Sequence, residues 1–152
     1  DGRPMVQTGA MLRYIARLGG GGLYPADARA AFVVDSVVDT LNDTVSHALM
    51  PSLFERDMEK KLEMRRALVA GPLTLCLRYV EGLLAEGPGP FLTGPDLTIA
   101  DILLGLTVQQ YRSGTLDGIG PEVLESFPRL RALGDAYAAH PGVVAYSKRA
   151  AA

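Results

Sequence analysis

Apolar and polar positions follow one another along most of the chain with the period of an α-helix, and almost no segment shows the two-residue alternation of a strand. In the first periodic segment, Met11, Ile15 and Leu18 recur at spacings of three and four residues. We therefore predict a mainly α fold, with a short strand before the first helix. The predicted helices cover residues 8–18, 26–54, 56–86, 98–111, 128–137 and 141–149.

Glycine and proline mark where these helices should end or bend. Thr8 is placed to cap the first helix, and the four glycines at 19–22 should end it. Pro51 should bend or end the second helix. Gly71-Pro72 either splits the third helix or kinks it, and we favour a kink because tertiary packing can keep a helix continuous through proline.

The fourth helix has a strong start signal in the segment PDLTIADI. Thr98 is placed to accept a hydrogen bond from the backbone N–H of Asp101, and the Asp101 carboxylate can reach back to the N–H of Thr98. Leu97 and Ile102 stand where a hydrophobic staple would pack. The sequence therefore predicts a capping box of Thr98 and Asp101.

Composition narrows the possible partners. The chain has 152 residues, 48% of them hydrophobic, and a net charge of -2 without any basic run, which argues against nucleic acid and anionic membranes. No uninterrupted apolar run approaches the roughly 20 residues of a membrane span. The single cysteine, Cys76, lies on an apolar helix face and is predicted to be a buried core residue. These features are typical of a cytoplasmic protein.

One helix face carries an unusual stack of charge. Asp35, Asp39 and Asp43 follow one another at four-residue spacing, where like charges destabilise a helix by roughly 0.2–0.5 kcal/mol per pair. Arg13 and Arg17 show the same spacing on the first helix. The two stripes can pair within a subunit or across a two-fold interface.

Familiar catalytic and metal-binding patterns are absent from the sequence. It contains no HExxH, CxxC, P-loop or dinucleotide-binding glycine motif, and no convincing Ser–His–Asp arrangement. The start of the first helix, at Gln7 and Thr8, is suited to an anion because helix N-termini present free N–H groups and a positive dipole end.

Four segments together resemble one family. They are DGRPMVQTGAMLRYIARLGGGGLYP, VVDSVVDTLND, FLTGPDLTIADILL and FPRLRALGDAYAAHPGVVAYSKR, and they resemble cytosolic glutathione S-transferases of the sigma, pi, mu and alpha group over essentially the whole chain. The resemblance implies that residues 1–22 end a thioredoxin-like domain, with a strand, a turn and its last helix. It implies that residues 23–152 form the all-helical C-terminal domain. The first strand, helix and second strand of the thioredoxin-like domain are absent, so we expect a portion of a longer protein.

The resemblance also implies a glutathione site. Gln7 and Thr8 match the pair that holds the γ-glutamyl carboxylate, and Asp43 matches the acidic residue that reaches the γ-glutamyl ammonium in the neighbouring subunit of a homodimer. The Tyr or Ser that stabilises the glutathione thiolate is expected upstream, so no catalytic residue is assigned in this chain. Glutathione is then a co-substrate, and no cofactor is expected.

Further expectations concern the second substrate and the interface. We place the electrophile pocket near Ser46 and Met50. We place the dimer interface at two pairs of charged residues, Arg13 and Arg17 with Asp35 and Asp39. The related sigma-class pattern holds a divalent ion near Asp39 and Asp43, but Asn42 replaces one carboxylate here, so no metal is expected.

The preferred function is therefore that of a glutathione transferase that conjugates a small electrophile, as in detoxification. The chain as given should be inactive without the missing part. The alternative is a non-catalytic assembly module with the same fold, as in lens crystallins or translation-factor subunits.

Overall fold

The computed structural model describes residues 2, 4–18, 20 and 22–150, and these form an almost entirely helical structure. Two pairs of helices are joined through π-helical turns, at Thr44–Leu49 and Val69–Leu73, and a 3₁₀ turn covers Pro121–Leu124. The α-helices among the described residues are α1 (Thr8–Leu18), α2 (Ala28–Asp43), α3 (Met50–Phe54), α4 (Met58–Leu68), α5 (Thr74–Glu86), α6 (Ile99–Ser113), α7 (Pro128–Ala139) and α8 (Pro141–Ala150).

The mainly α fold is confirmed, whereas the short strand is not formed. Residues 4–7 have no regular secondary structure, and the described residues contain only the isolated bridges Phe91–Gly94 and Leu116–Ile119. An extended segment becomes a strand only when a neighbour accepts and donates its backbone hydrogen bonds, and no such neighbour occurs in the described part of the chain. The division at residue 22 remains a prediction.

Helix starts differ from the predictions by a few residues. Helix α2 begins at Ala28 because Asp27 caps it, accepting from the N–H of Ala30 at 2.8 Å. Helix α4 begins at Met58 because Asp57 accepts from the N–H of Lys60 at 3.1 Å. In both cases the helix starts after an acidic cap, two residues later than the apolar period alone indicates.

Both prolines inside the long helices lie next to or within a π-helical turn. The chain continues through Pro51 into α3, directly after the π-helical turn Thr44–Leu49. Pro72 lies within the second π-helical turn. Helices α4 and α5 form one continuous helix, Met58–Glu86, which confirms the prediction that the helix is not split at Pro72. Proline lacks the N–H and crowds the carbonyl four residues back, and a wider turn relieves both problems.

The continuous helix Met58–Glu86 has 29 residues and is apolar enough to cross a membrane by length and composition. It nevertheless buries Leu73, Leu77 and Val80 in the protein core, together with the guanidinium of Arg65. Arg65 donates to the hydroxyl of Ser52 and to the backbone oxygen of Asp117. A core helix passes the same test, so this one candidate is weak evidence for a membrane span.

Helices α6 and α7 pack closely because each places a glycine against a large side chain of the other. A Cβ on Gly105 would lie 2.2 Å from the ring of Tyr137, and one on Gly134 would lie 2.5 Å from Val108. These distances are too short for any other residue, so the helices can approach this closely only through glycine. The buried residues Leu104, Leu130 and Leu133 extend the same contact into the core.

The predicted capping box of Thr98 and Asp101 is confirmed at the start of α6. Asp101 is fully buried, and its carboxylate accepts from the N–H of Thr98 at 2.8 Å and from the N–H of Leu92 at 2.9 Å. Burial raises the pKa of Asp101 above its usual range, although the hydrogen bonds it accepts oppose the shift. The contact with Leu92 was not predicted, and it attaches the preceding loop to the same carboxylate.

Helix α7 begins without a capping side chain of its own. Glu81 of α5 supplies the cap instead, because its two carboxylate oxygens accept from the N–H groups of Arg129 and Leu130, each at 2.9 Å. A carboxylate at a helix N-terminus also interacts favourably with the helix dipole. This tertiary cap fixes the start of α7 against α5.

We predict that Asp101→Ala lowers the free energy of unfolding by about 3 kcal/mol. The substitution removes a helix cap and leaves the buried N–H groups of Thr98 and Leu92 without an acceptor. Denaturant unfolding followed by circular dichroism measures the change. Asp96→Ala, at an exposed position of the same loop, is the control and should change stability by less than about 0.5 kcal/mol. Equal midpoints for the two variants would contradict the role of the carboxylate.

Candidate functional site

The start of α1 has the features of an anion site. Gln7 and Thr8 are exposed, and the first turn of the helix contains no acidic residue. Thr8 was predicted to cap α1, but the helix begins at Thr8 itself, and the carbonyl of Gln7 accepts from the N–H of Met11 at 3.0 Å. The first N–H groups of a helix have no partner within it and are available to a ligand.

Gln7 adopts a left-handed backbone conformation with φ of 73°. This conformation is uncommon for a residue with a side chain and costs about 1 kcal/mol or more. Strained residues of this kind cluster at ligand sites, where the surrounding structure holds them. Here the left-handed conformation of Gln7 directs the backbone into the first turn of α1.

Helix α1 contacts α2 through Gly9. A Cβ on Gly9 would lie 2.9 Å from a guanidinium nitrogen of Arg13, 3.3 Å from the amide nitrogen of Asn42 and 3.5 Å from a carboxylate oxygen of Asp39. The first turn of α1 therefore lies against the end of α2, beside the residue that precedes Asp43. The side chain of Asp43 is 79% exposed and has a weak contact of 3.9 Å with His47.

The acidic stripe of α2 is partly neutralised within the chain. Arg13 pairs through Nε with Asp35 at 2.6 Å and through Nη2 with Asp39 at 2.9 Å. Burial disfavours the charged guanidinium, but the hydrogen bonds to both carboxylates outweigh it and raise the pKa of Arg13. Tyr24 donates its hydroxyl proton to the second oxygen of Asp35 at 2.8 Å. Of the two alternatives for the stripes, pairing within one chain is thus present.

Arg17 does not share these carboxylates. Its guanidinium lies 4.6 Å from the centre of the Tyr24 ring, in a cation–π contact. Arg13 thus has both of its ion-pair partners in its own chain, and a dimer interface at Arg13, Arg17, Asp35 and Asp39 stays a prediction. Nothing in the local sequence pattern indicated the hydrogen bond from Tyr24 to Asp35.

The two residues expected to line the electrophile pocket lie at the first π-helical turn, and the pocket itself stays a prediction. Ser46 is exposed within this turn, and Met50 follows it and is also partly exposed. Leu53 and Phe54 of α3 add further exposed apolar surface, with Phe54 77% exposed. Leu53 and Phe54 were not among the residues predicted for the pocket, although their spacing of three and four residues from Met50 places them on the same helix face.

Cys76 is buried in the core, as predicted, and burial raises the pKa of its thiol. A thiol in this environment is a poor nucleophile because the thiolate is disfavoured. Among the described residues, no group of three or more His, Cys, Asp or Glu side chains is arranged to hold a metal ion.

The fold matches several solved structures. Prostaglandin synthase D of Nilaparvata lugens is 20% identical with a TM-score of 0.77, and the match covers 97% of this chain and 70% of that one. Rat hPGDS complexed with a quinoline is 24% identical with a TM-score of 0.75, covering 95% and 67%. A glutathione transferase homologue from Sulfitobacter with bound glutathione is 23% identical with a TM-score of 0.69, covering 96% and 76%.

These identities are low, so the structural matches establish the fold alone. No individual curated protein matches the sequence at a significant level. The family model for the glutathione S-transferase C-terminal domain, however, matches residues 42–150, which is more than half of the chain. The chain therefore belongs to the glutathione S-transferase family, and most of it corresponds to the C-terminal domain of that family.

Proposed function

We propose that the protein binds glutathione and serves as a glutathione transferase when the thioredoxin-like part is complete. The observation that carries the proposal is the exposed start of α1, where the strained Gln7 precedes a first turn free of acidic residues. A homologous structure from Sulfitobacter contains bound glutathione, which supports the same ligand here.

In this proposal the γ-glutamyl carboxylate sits at the N-terminus of α1. The Thr8 hydroxyl, the Gln7 side-chain amide and the first backbone N–H groups of the helix donate to it. The exposed carboxylate of Asp43 serves the γ-glutamyl ammonium of the neighbouring subunit in a homodimer. Hydrogen bonds to a charged partner contribute about 1.5–3 kcal/mol each, so a few of them hold the ligand.

Conjugation requires a group that stabilises the glutathione thiolate, and two candidates in this chain are unsuitable. Tyr24 has a raised pKa, caused by burial and by its hydrogen bond to Asp35, and its hydroxyl proton is already donated to that carboxylate. Cys76 is buried with a raised pKa. As the family resemblance implies, we assign the thiolate-stabilising hydroxyl to a Tyr or Ser outside this chain. The electrophile would meet the thiolate beside Ser46 and Met50.

The environments of Tyr24 and Cys76 support a second candidate function. A chain whose Tyr24 and Cys76 cannot stabilise a thiolate also suits a non-catalytic assembly module of this family. Retention of Gln7, Thr8 and Asp43 favours the transferase. We place the protein in the cytoplasm, as its composition and single buried cysteine suggest.

Thr8→Ala should weaken glutathione binding by about tenfold or more, because the carboxylate loses a hydrogen bond from a hydroxyl. Isothermal titration calorimetry with reduced glutathione measures the affinity. Thr115→Ala, at another exposed threonine, is the matched control and should bind as the unmodified protein does. Equal affinities for both variants would contradict a carboxylate site at α1, and no binding to the unmodified protein would favour the assembly module.

The 152-residue chain alone should not accelerate conjugation of glutathione to 1-chloro-2,4-dinitrobenzene. The reason is that the thiolate-stabilising group is assigned outside it, so the bound thiol keeps an ordinary pKa. Absorbance of the conjugate, compared with a protein-free reaction, measures the rate. Turnover above that background would contradict the assignment, and Tyr14→Phe would then be the first variant to measure because Tyr14 is half exposed.

Asp35→Asn should lower the free energy of unfolding by about 1–2 kcal/mol, because the charged partner of Arg13 and Tyr24 is lost within the same chain. The sedimentation profile should be the same as for the unmodified protein. Asp27→Asn is the control, since asparagine caps a helix as well as aspartate does. If the variant instead dissociated from a dimer to monomers without losing stability, Asp35 would pair with an arginine of the neighbouring subunit.

A further inference from the structure

Asp43, at the end of α2, has a histidine beside it in the first π-helical turn. Nε2 of His47 lies 3.9 Å from a carboxylate oxygen of Asp43, and the two side chains are 82% and 79% exposed. This distance is too long for a hydrogen bond, so the contact is an attraction between charges that requires a protonated imidazole. Histidine is the side chain that ordinarily changes its charge between about pH 5 and 8. The carboxylate of Asp43 therefore has a neighbour whose charge depends on pH.

The other charged residues of α2 are engaged elsewhere. Asp35 and Asp39 both bind Arg13, and Arg29 lies at the opposite end of the helix. Helix α3 and the second π-helical turn also pack against the first π-helical turn, and neither contains a titratable residue. These three elements therefore supply no competing ion pair for His47.

Helix α4, which also packs against the first π-helical turn, directs its charges to other places. Lys61 and Arg65 lie 3.9 and 3.5 Å from the carboxylate of Asp117. The other charged residues of α4 line a separate surface hollow that does not include His47, namely Glu59, Lys60, Glu63 and Arg66. Burial raises the pKa of Cys76 on α5, which keeps this thiol uncharged. Among the described residues, Asp43 is thus the ion-pair partner of His47.

We propose that His47 regulates glutathione binding by controlling whether the carboxylate of Asp43 is free. The inference rests on the proposed function, in which Asp43 binds the γ-glutamyl ammonium of the ligand in the neighbouring subunit. A protonated imidazole competes with that ammonium for the carboxylate, because both are cations and the carboxylate carries one charge. A neutral imidazole leaves the carboxylate to the ligand. His47 is therefore a positioning residue that acts through Asp43, and glutathione binds more tightly as the pH rises.

The regulation is modest in size because both side chains are exposed. Ion pairs between residues four apart on a helix surface are weak, so the affinity for the ligand should change by about twofold at low ionic strength. Dissolved salt screens exposed charges and should reduce this change. A change of this size adjusts the occupancy of the site without abolishing binding.

Charge variants of the full-length protein test the proposal by isothermal titration calorimetry at about pH 5.5 and about pH 7.5. The probe is S-methylglutathione, because its thioether does not ionise and its γ-glutamyl group keeps both charges over this range. His47→Gln is neutral at both pH values, and His47→Lys is positively charged at both. His140→Gln, at the other histidine of the chain, is the matched control. His47 is exposed, so its variants should fold, as circular dichroism would verify.

We expect the affinity of the unmodified protein and of His140→Gln to rise about twofold between the two pH values. His47→Gln should bind with the higher affinity at both pH values, and His47→Lys with the lower affinity at both. If His47→Gln kept the pH dependence of the unmodified protein, or if His47→Lys bound as tightly as His47→Gln, the inference would be overturned while glutathione binding stood. No binding of the probe to the unmodified protein at either pH would overturn the proposed function and this inference with it.

Discussion

The buried carboxylate of Asp101 is the constraint on which the arrangement of the helices depends. It fixes the first turn of α6 through Thr98 and attaches the preceding loop through the N–H of Leu92. A carboxylate in this position is tolerable only because its hydrogen bonds offset part of the cost of burial, which still raises its pKa. Once α6 starts at a fixed point, Gly105 and Val108 come into register with Tyr137 and Gly134 of α7.

The same start of α6 also positions the candidate glutathione site. The N–H of Ile99 binds the carbonyl of Leu23, and the next residue, Tyr24, donates to Asp35 of α2. Arg13 of α1 binds the other oxygen of Asp35. Helix α1 is therefore held to α2 by side-chain hydrogen bonds, and to α6 through the linker. A ligand site at the start of α1 takes its position from these contacts.

Features with local causes were predictable from the sequence. The capping box at Thr98, the end of α1 before the glycines and the continuity of the helix through Pro72 all follow from neighbouring residues. The missed features join residues far apart in the chain. Glu81 caps a helix 48 residues later, and Arg13 reaches Asp35 across 22 residues. Spacing alone could not decide whether that pair forms within one chain or between two, because both arrangements match the same charges.

The charge pattern of α2 gives the candidate site its chemical character. Arg13 forms ion pairs with Asp35 and Asp39, and its positive charge offsets the repulsion between the two carboxylates. Asp43, at the end of the stripe, keeps an exposed carboxylate with only a weak contact to His47 among the described residues. The start of α1 lies beside this end and favours an anion. In the proposed function these two features act on the two charges at the γ-glutamyl end of glutathione. The start of α1 binds the carboxylate of the ligand in its own subunit, whereas Asp43 reaches the ammonium of the ligand in the neighbouring subunit.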